Sequence, residues 1–153
     1  MKKIKLHDVP AIHSIFAGKL ANKHFSDFKL ALKIAKVTNE LGVVLKSFQD
    51  QERKVFDKYM KKGPDGNFII EGNHLVPKKT DDKFILEMNK EINDLHNTEI
   101  ELDTLPSPLV ITDANDLSDI TPNDLIVLDG LFDFDYVLHE GECEPEEEIK
   151  PNA

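Results

Sequence analysis

The chain has 153 residues, 40% apolar and 31% charged, which are ordinary values for one globular domain. No apolar run reaches the roughly 18 residues of a membrane-spanning helix, and residues 1–8 have a basic flank without an apolar segment behind it. We therefore expect no membrane partner and no secretory signal, and the single cysteine, Cys143, favours a cytoplasmic location.

The net charge of −10 is divided unevenly along the chain. Residues 1–63 carry 14 Lys/Arg and 6 Asp/Glu, a net +8, whereas residues 64–153 carry 5 and 23, a net −18. Two interpretations stay open. In the first, one half binds an anionic partner, or the acidic half mimics such a partner. In the second, the two halves face each other within the fold or in a homo-oligomer, and their charges neutralise each other by proximity.

The first 20 residues predict a short strand followed by a helix. Residues 3–7 would form the strand, with Ile4 and Leu6 on one side, and Asp8 would cap a helix that has Pro10 in its first turn. The apolar stripe of that helix has helical spacing and consists of Ala11, Ile12, Ile15, Phe16 and Leu20.

The strongest periodicity predicts a long helix from about residue 27 to about residue 61, with Ser26 as its N-cap. Its seam repeats at spacings of three and four: Ile34, Val37, Leu41, Val44, Phe48, Gln51 and Val55. Such a helix would be about 50 Å long, so we expect part of it to project or to support a partner. The seam is either core or an intermolecular coiled coil, and Gly42 indicates a close approach or a bend.

A turn at residues 63–67 (Gly-Pro-Asp-Gly-Asn) would end the long helix. Residues 68–77 predict a small β-hairpin with its turn at Gly72-Asn73. Thr80 or Asp81 would cap a third helix that ends near Asn97 and returns along the second helix. Its apolar face would consist of Phe84, Ile85, Met88, Ile92 and Leu95.

Beyond the third helix, residues 99–105 alternate as a half-buried strand, and residues 109–111 predict a further strand or extended segment. Thr121 and Pro122 would begin a short helix. Its apolar face would be Leu125, Ile126, Leu128 and Leu131, and the core or a local staple would continue through Phe132, Phe134, Tyr136 and Val137.

Taken together, these elements predict an α+β, mostly α, fold. Its main feature would be a long antiparallel helical hairpin interrupted by a small β-hairpin, with a short C-terminal helix and strands. We expect one domain over residues 1–138 and an acidic, disordered tail over residues 139–153.

No pattern predicts a cofactor or metal site or a catalytic set. The Asp65-Gly66-Asn67 segment places Ile69 and Val76 where an EF-hand needs oxygen ligands. His139 and Cys143 lack two further zinc ligands, and there is no phosphate-binding glycine loop. Carboxylates of the acidic half are interpreted as caps and solvated surface, with a metal site as the alternative: Asp113, Asp116, Asp119, Asp124 and Asp129. We therefore expect that the chain is not an enzyme.

Lysines line the long helix, but the chain has a single arginine and few surface aromatic residues. Because nucleic-acid recognition usually relies on arginine and on aromatic side chains that stack on bases, direct nucleic-acid binding is not favoured. A protein partner and a homo-oligomer are both compatible with the pattern. The candidate interaction residues lie on the long helix and the predicted hairpin: Lys46, Arg53, Lys54, Phe56, Tyr59, Phe68 and Ile70.

The order of several motifs is also informative. They are the Lys-rich segment 29–36, Phe56-Asp57-Lys58-Tyr59, the turn at 63–67, the Glu-Ile-Asn-Asp-Leu segment 91–95 and the Thr-Glu-Ile-Glu-Leu-Asp segment 98–103. Over about residues 1–135 the chain resembles a family of small, functionally uncharacterised proteins of phages and prophages of Gram-positive bacteria, often encoded near tail and lysis genes. That resemblance implies no activity and no catalytic residues.

The leading hypothesis is a phage-encoded, non-enzymatic protein that acts by protein–protein contact, in virion assembly or on a host target during host takeover. The alternative is an acidic nucleic-acid mimic that inhibits a host defence or transcription protein. An enzyme built on the abundant carboxylates is a third class, and its first candidates would be Asp113, Asp116 and Asp119.

Overall fold

The computed structural model describes residues 2–25 and 27–134. These residues form four α-helices and three pairs of short strands, so the predicted mixed, mostly helical class is confirmed. Predictions for Tyr136 and Val137, for the domain limit at residue 138 and for the tail after it lie outside the described residues.

The N-terminal elements are β1 (Ile4–Lys5), a 3-10 turn (Leu6–Asp8), α1 (Val9–Ile15), a π-helical turn (Phe16–Leu20) and α2 (Phe28–Tyr59). The next elements are β2 (Ile70–Glu71), β3 (His74–Leu75), α3 (Asp82–His96) and β4 (Glu99–Ile100). The last are β5 (Leu109–Ile111), a 3-10 turn (Ala114–Leu117), α4 (Pro122–Val127) and β6 (Phe132–Phe134).

The first helix has the predicted extent, but its last turn is wider than an α-helix. Ala21 donates its backbone N–H to the carbonyl of Phe16 at 2.7 Å, which is an i→i−5 bond. Asp8 holds the N-cap position without a capping hydrogen bond, because its carboxylate lies 3.1 Å from His7 Nδ1 instead. The predicted strand 3–7 is limited to β1, since Leu6 already begins a 3-10 turn.

Helix α2 has 32 residues and is therefore about 48 Å long. The N-cap is Asp27, whose carboxylate accepts the backbone N–H of Lys29 at 2.9 Å, so the prediction of Ser26 as the N-cap is wrong by one residue. Four seam residues are buried within the chain, which confirms the core interpretation for them: Ile34, Val37, Leu41 and Phe48. An added Cβ at Gly42 would lie 3.6 Å from His13 Nε2, an ordinary contact, so packing does not require glycine there.

The chain turns sharply after α2. Gly63 donates its N–H to the carbonyl of Asn67 at 2.8 Å, and Gly66 has a φ of +82° that suits glycine. Strands β2 and β3 pair antiparallel around Gly72 and Asn73, whose φ angles of 56° and 69° fit a type I′ turn. The strands are shorter than predicted, with two residues each.

Helix α3 begins at the predicted cap, where Asp81 accepts the N–H of Phe84 at 2.8 Å, and it ends before Asn97. Its contacts with α2 run in reverse order, since Phe84 packs on Tyr59 and His96 lies 2.8 Å from Glu52. With 15 residues, α3 is less than half as long as α2 and accompanies only its C-terminal part.

The predicted strand 99–105 is wrong beyond Ile100. β4 pairs antiparallel with β1, but the chain then turns, because the carboxylate of Glu40 accepts the backbone N–H groups of Asp103 and Thr104, both at 2.8 Å. Leu102 and Leu105 are nevertheless buried on either side of this turn.

The short helix α4 begins as predicted, with a capping box between Thr121 and Asp124. Its predicted apolar face is wrong for Leu125 and Ile126, which are exposed, and right for Leu128 and Leu131, which are buried. The reason is length: α4 ends at Val127, so Leu128 and Leu131 belong to the turn that leads into β6 and do not follow helical spacing. β6 pairs parallel with β5.

The buried apolar residues form two clusters. The larger one joins α1, the π-helical turn, the first two thirds of α2 and the C-terminal elements, and it includes a stacked pair of Phe16 and Phe132 with ring centroids 6.0 Å apart. The smaller one, which we call the distal cluster, surrounds the C-terminal end of α2. It consists of Tyr59, Met60 and Met88 with Val55, Phe56, Phe68, Leu75, Phe84, Ile85 and Ile92.

Candidate interaction surface

The aromatic members of the predicted interaction set belong to the distal cluster. Phe56 and Phe68 are half-buried and meet edge to face with ring centroids 6.4 Å apart. Tyr59 is only 4% exposed and packs against Phe84. These three rings therefore hold the end of α2 together, whereas Ile70, on β2, is 65% exposed.

A hydrogen-bond network joins α2 to α3 beside this cluster. Tyr59 donates its hydroxyl proton to Glu91, and Lys58 Nζ lies 3.1 Å from the same carboxylate oxygen. The hydrogen bond to Glu91 raises the pKa of Tyr59, and the bonds from Tyr59 and then Lys58 lower the pKa of Glu91. The phenol therefore stays neutral and the carboxylate ionised, and their hydrogen bond joins α2 to α3.

The basic members of the predicted set, Lys46, Arg53 and Lys54, are all exposed on α2. They lie on the side of the helix that faces away from both clusters. The structure therefore separates the predicted set into an interior aromatic group and an exposed basic group, with Ile70 exposed on β2 apart from both.

The side of α2 opposite its buried seam carries an apolar row. Positions 28, 32, 35, 39 and 43 follow spacings of four, three, four and four, so they lie along one edge of the helix. Phe28 is 79% exposed, Leu32 45% and Val43 72%, and Ala35 and Asn39 between them are also exposed. We call this row, with its flanking lysines, the outer face of α2.

Four exposed lysines flank the row: Lys29, Lys33, Lys36 and Lys46. Within residues 2–25 and 27–134, no carboxylate forms an ion pair with any of them. The only acidic residue of this stretch, Glu40, is engaged with Asp103 and Thr104. The outer face is therefore positively charged as well as apolar.

Glu40 stays ionised in this position. Burial alone would raise its pKa, but the hydrogen bonds from the Thr104 side chain and from the backbones of Thr104 and Asp103 outweigh burial and lower the pKa. Its carboxylate is engaged by the 103–104 turn, and within residues 2–25 and 27–134 it forms no ion pair with a flanking lysine.

Elsewhere, the basic and acidic halves of the chain face each other. Four ion pairs join a lysine of residues 2–63 to a carboxylate of residues 64–134: Lys2–Asp129, Lys19–Asp124, Lys23–Asp119 and Lys58–Glu91. None of them uses a lysine of the outer face. These four ion pairs therefore neutralise part of the segregated charge within the fold. Among the described residues, they leave the positive charge of the outer-face lysines unpaired.

A second apolar patch lies on α4, where Leu125, Ile126 and Val127 are exposed. Ile126 and Val127 border a groove of about 330 Å³ whose floor includes Ile12. Leu125 lies beside Phe132, from whose strand the last 19 residues of the chain continue beyond the described part.

The described residues contain no group of three His, Cys, Asp or Glu side chains that would hold a metal ion. Asp113 accepts the N–H of Asn115 at 3.0 Å and Asp124 completes a capping box, as expected for caps. Asp116 is buried, so the solvated-surface prediction is wrong for it. His139 and Cys143 lie outside the described residues. No described helix is long and apolar enough to span a membrane.

Comparison with known proteins gives no relative: no family model, no curated protein and no solved structure matches the chain.

Phe28, Leu32 and Val43 were not among the predicted interaction residues. A signal for them exists in the sequence, because they fall about half a turn away from the seam of Ile34, Val37 and Leu41 when α2 is laid out at 3.6 residues per turn.

Proposed function

We propose that this chain is a phage-encoded protein of the host cytoplasm that acts by binding another protein through the outer face of α2, and not by catalysis. Its role is either in virion assembly or on a host target. The phage origin is supported by the resemblance of the motifs between residues 29 and 103.

The observation that carries the proposal is the exposure of Phe28, Leu32 and Val43 between lysines that have no ion-pair partner in residues 2–25 and 27–134. Burying such apolar surface against a partner yields roughly 25 cal/mol per Å². Apolar side chains in a row and bordered by charge are typical of a protein interaction site.

The scaffold favours binding because the outer face lies on one continuous helix, whose opposite side is packed into the larger cluster. In this proposal α2 and α3 form an antiparallel helical hairpin with the β2–β3 pair at its distal end, while α1 covers the inner side of the N-terminal half of α2. A face carried on a braced helix loses little conformational entropy on binding.

A second candidate is the acidic mimic, and one observation favours it. Asp94, Glu99, Glu101 and Asp103 are exposed within ten residues of each other in sequence. Binding of a nucleic-acid-binding protein at this segment should weaken steeply as salt rises, and should not change when the outer face of α2 is altered.

The test is affinity capture from expressing bacterial cells, with the Leu32→Asp/Val43→Asp double variant and the Leu86→Asp variant beside the wild type. Leu86 is 70% exposed on α3 and is a matched control for adding charge to an exposed apolar site. We expect one specific protein with the wild type and the control and its loss with the double variant. Recovery of the chain alone, together with turnover of a substrate, would contradict the proposed function.

A further inference from the structure

We infer that the partner contributes an acidic amphipathic helix of about four turns, which lies along the outer face of α2. This inference rests on the proposed function and specifies the chemistry of its partner. Length, charge and shape of the outer face each contribute to it.

The length of the apolar row sets the size of the segment. From Phe28 to Val43 the row covers 15 helical steps, or about 22 Å. Its spacings of four, three, four and four are those that side chains of a second helix use when ridges pack into grooves. A helix of about 15 to 18 residues covers the whole row.

The positive charge of the outer face indicates that the partner helix is negatively charged. Lys29, Lys33, Lys36 and Lys46 have no ion-pair partner among the described residues, and Glu40 is engaged at the 103–104 turn. Glutamates or aspartates beside the apolar side chains of the partner helix would pair with these lysines. Such complementarity also accelerates association and rejects basic helices.

A shallow recess adjoins Lys29 and Lys33, on the flank of the row that is nearer to β5. Between α2 and β5 there is a shallow cleft of about 170 Å³, lined by Asp27, Lys29, Leu30, Lys33, Val110 and Thr112. Val110 is exposed in it, on the outward side of β5. One large apolar side chain of the partner helix fits here, with the two lysines within reach of its acidic neighbours.

The same features argue against other occupants. A second copy of the chain on this face would bring the lysines of two outer faces together, which like-charge repulsion disfavours. Nucleic acid would leave Phe28, Leu32 and Val43 against phosphates, with no arginine between residues 28 and 46 to read bases. An anionic membrane would require a wide apolar surface, whereas this row is interrupted by Asn39.

The test uses the full chain and a labelled peptide of about 18 residues, with leucines at spacings of four, three, four and four and glutamates on the flanks. Controls are a scrambled peptide of the same composition, the same peptide with lysines in place of glutamates, phosphatidylglycerol vesicles and duplex DNA. Fluorescence anisotropy should show the matched acidic peptide binding at least about tenfold more tightly than either control peptide.

Variants of the chain separate the apolar and charged contributions. Leu32→Ser/Val43→Ser and Lys33→Glu/Lys36→Glu should each weaken the matched peptide by about tenfold, and the second should also flatten the salt dependence. Leu86→Ser should leave binding unchanged. Circular dichroism of each variant shows whether the helices are intact.

Three results would overturn the inference: equal binding of the scrambled peptide, tighter binding of vesicles or DNA, or zero-length cross-links from Lys33 to residues 140–148 of the same chain. A specific cellular protein that is lost with Leu32→Asp/Val43→Asp but captured equally by the wild type and by Lys33→Glu/Lys36→Glu would also overturn it, while leaving the proposed function intact. Capture of no protein, with turnover of a substrate, would remove both.

Discussion

Replacing Glu40 by glutamine should unfold the turn that places the C-terminal elements against α2. One carboxylate oxygen accepts the N–H of Asp103 and the other accepts the N–H and hydroxyl of Thr104. Glutamine keeps one acceptor, but its NH₂ group would face a backbone N–H, and the charge is lost. Hydrogen bonds to charged groups contribute about 1.5–3 kcal/mol, and Glu40 is half-buried, so we expect a loss of about 2 kcal/mol.

The assay is thermal and urea unfolding of Glu40→Gln beside Glu87→Gln, the same change at an exposed position of α3. A loss of about 2 kcal/mol corresponds to a fall in Tm of about 4 to 8 °C for a chain of this size, and the control should not change. Because the pKa of Glu40 lies below its ordinary value of 4.5, the stabilisation is present above that pH and is lost as pH falls through the folded pKa. The difference between wild type and Glu40→Gln should therefore shrink in acid. Equal stability of the two proteins at neutral pH would refute the role of this carboxylate.

Three further predictions concern other contacts. Gly130→Ala should destabilise the chain by about 1–2 kcal/mol in urea unfolding, because φ is +81° there and an L side chain is strained in that conformation; the flexible Lys2 side chain can move away from the added Cβ, so the loss should be the same in a Lys2→Ala background. In an ultraviolet titration, Tyr59 should ionise above its ordinary pKa of 10.0 and return toward it in Glu91→Gln; since the folded pKa is raised, this stabilisation is present below pH 10 and is lost at higher pH. Asp81→Ala should cost about 1 kcal/mol by removing the cap of α3, and an unchanged urea midpoint would contradict that.

Local signals were sufficient for the helices with strong periodicity. The predicted long helix over residues 27–61 is α2, Phe28–Tyr59, because its seam and the glycine and proline after it act within a few residues, although its cap is Asp27 and not Ser26. The same holds for α3, where the side chain of Asp81 caps the helix and Asn97 ends it.

Elements decided by distant contacts were not predictable from local pattern. The alternation over residues 99–105 predicts a strand, but the acceptor that turns the chain after Ile100, Glu40, lies about 60 residues earlier. Likewise, α4 is too short for helical spacing to decide which of Leu125 and Leu128 is buried; the turn after the helix decides it.

The sequence alone indicates only part of the outer face. Its lysines stand out as charged residues, but Phe28, Leu32 and Val43 are apolar, and apolar residues on a strongly periodic helix are first assigned to the core. Helical spacing places them half a turn from Ile34, Val37 and Leu41, but the structure was needed to show which of the two sides is buried.

Methyl NMR of the full chain during titration with the matched acidic peptide tests the central claim most directly, because it locates the contact on the surface. We expect the methyl signals of Leu32 and Val43 to shift in proportion to the peptide bound, while those of Leu86 and Ile126 stay in place. Shifts confined to Ile126 and its neighbours on α4, with Leu32 and Val43 unchanged, would contradict the assignment of the outer face of α2 as the interaction site.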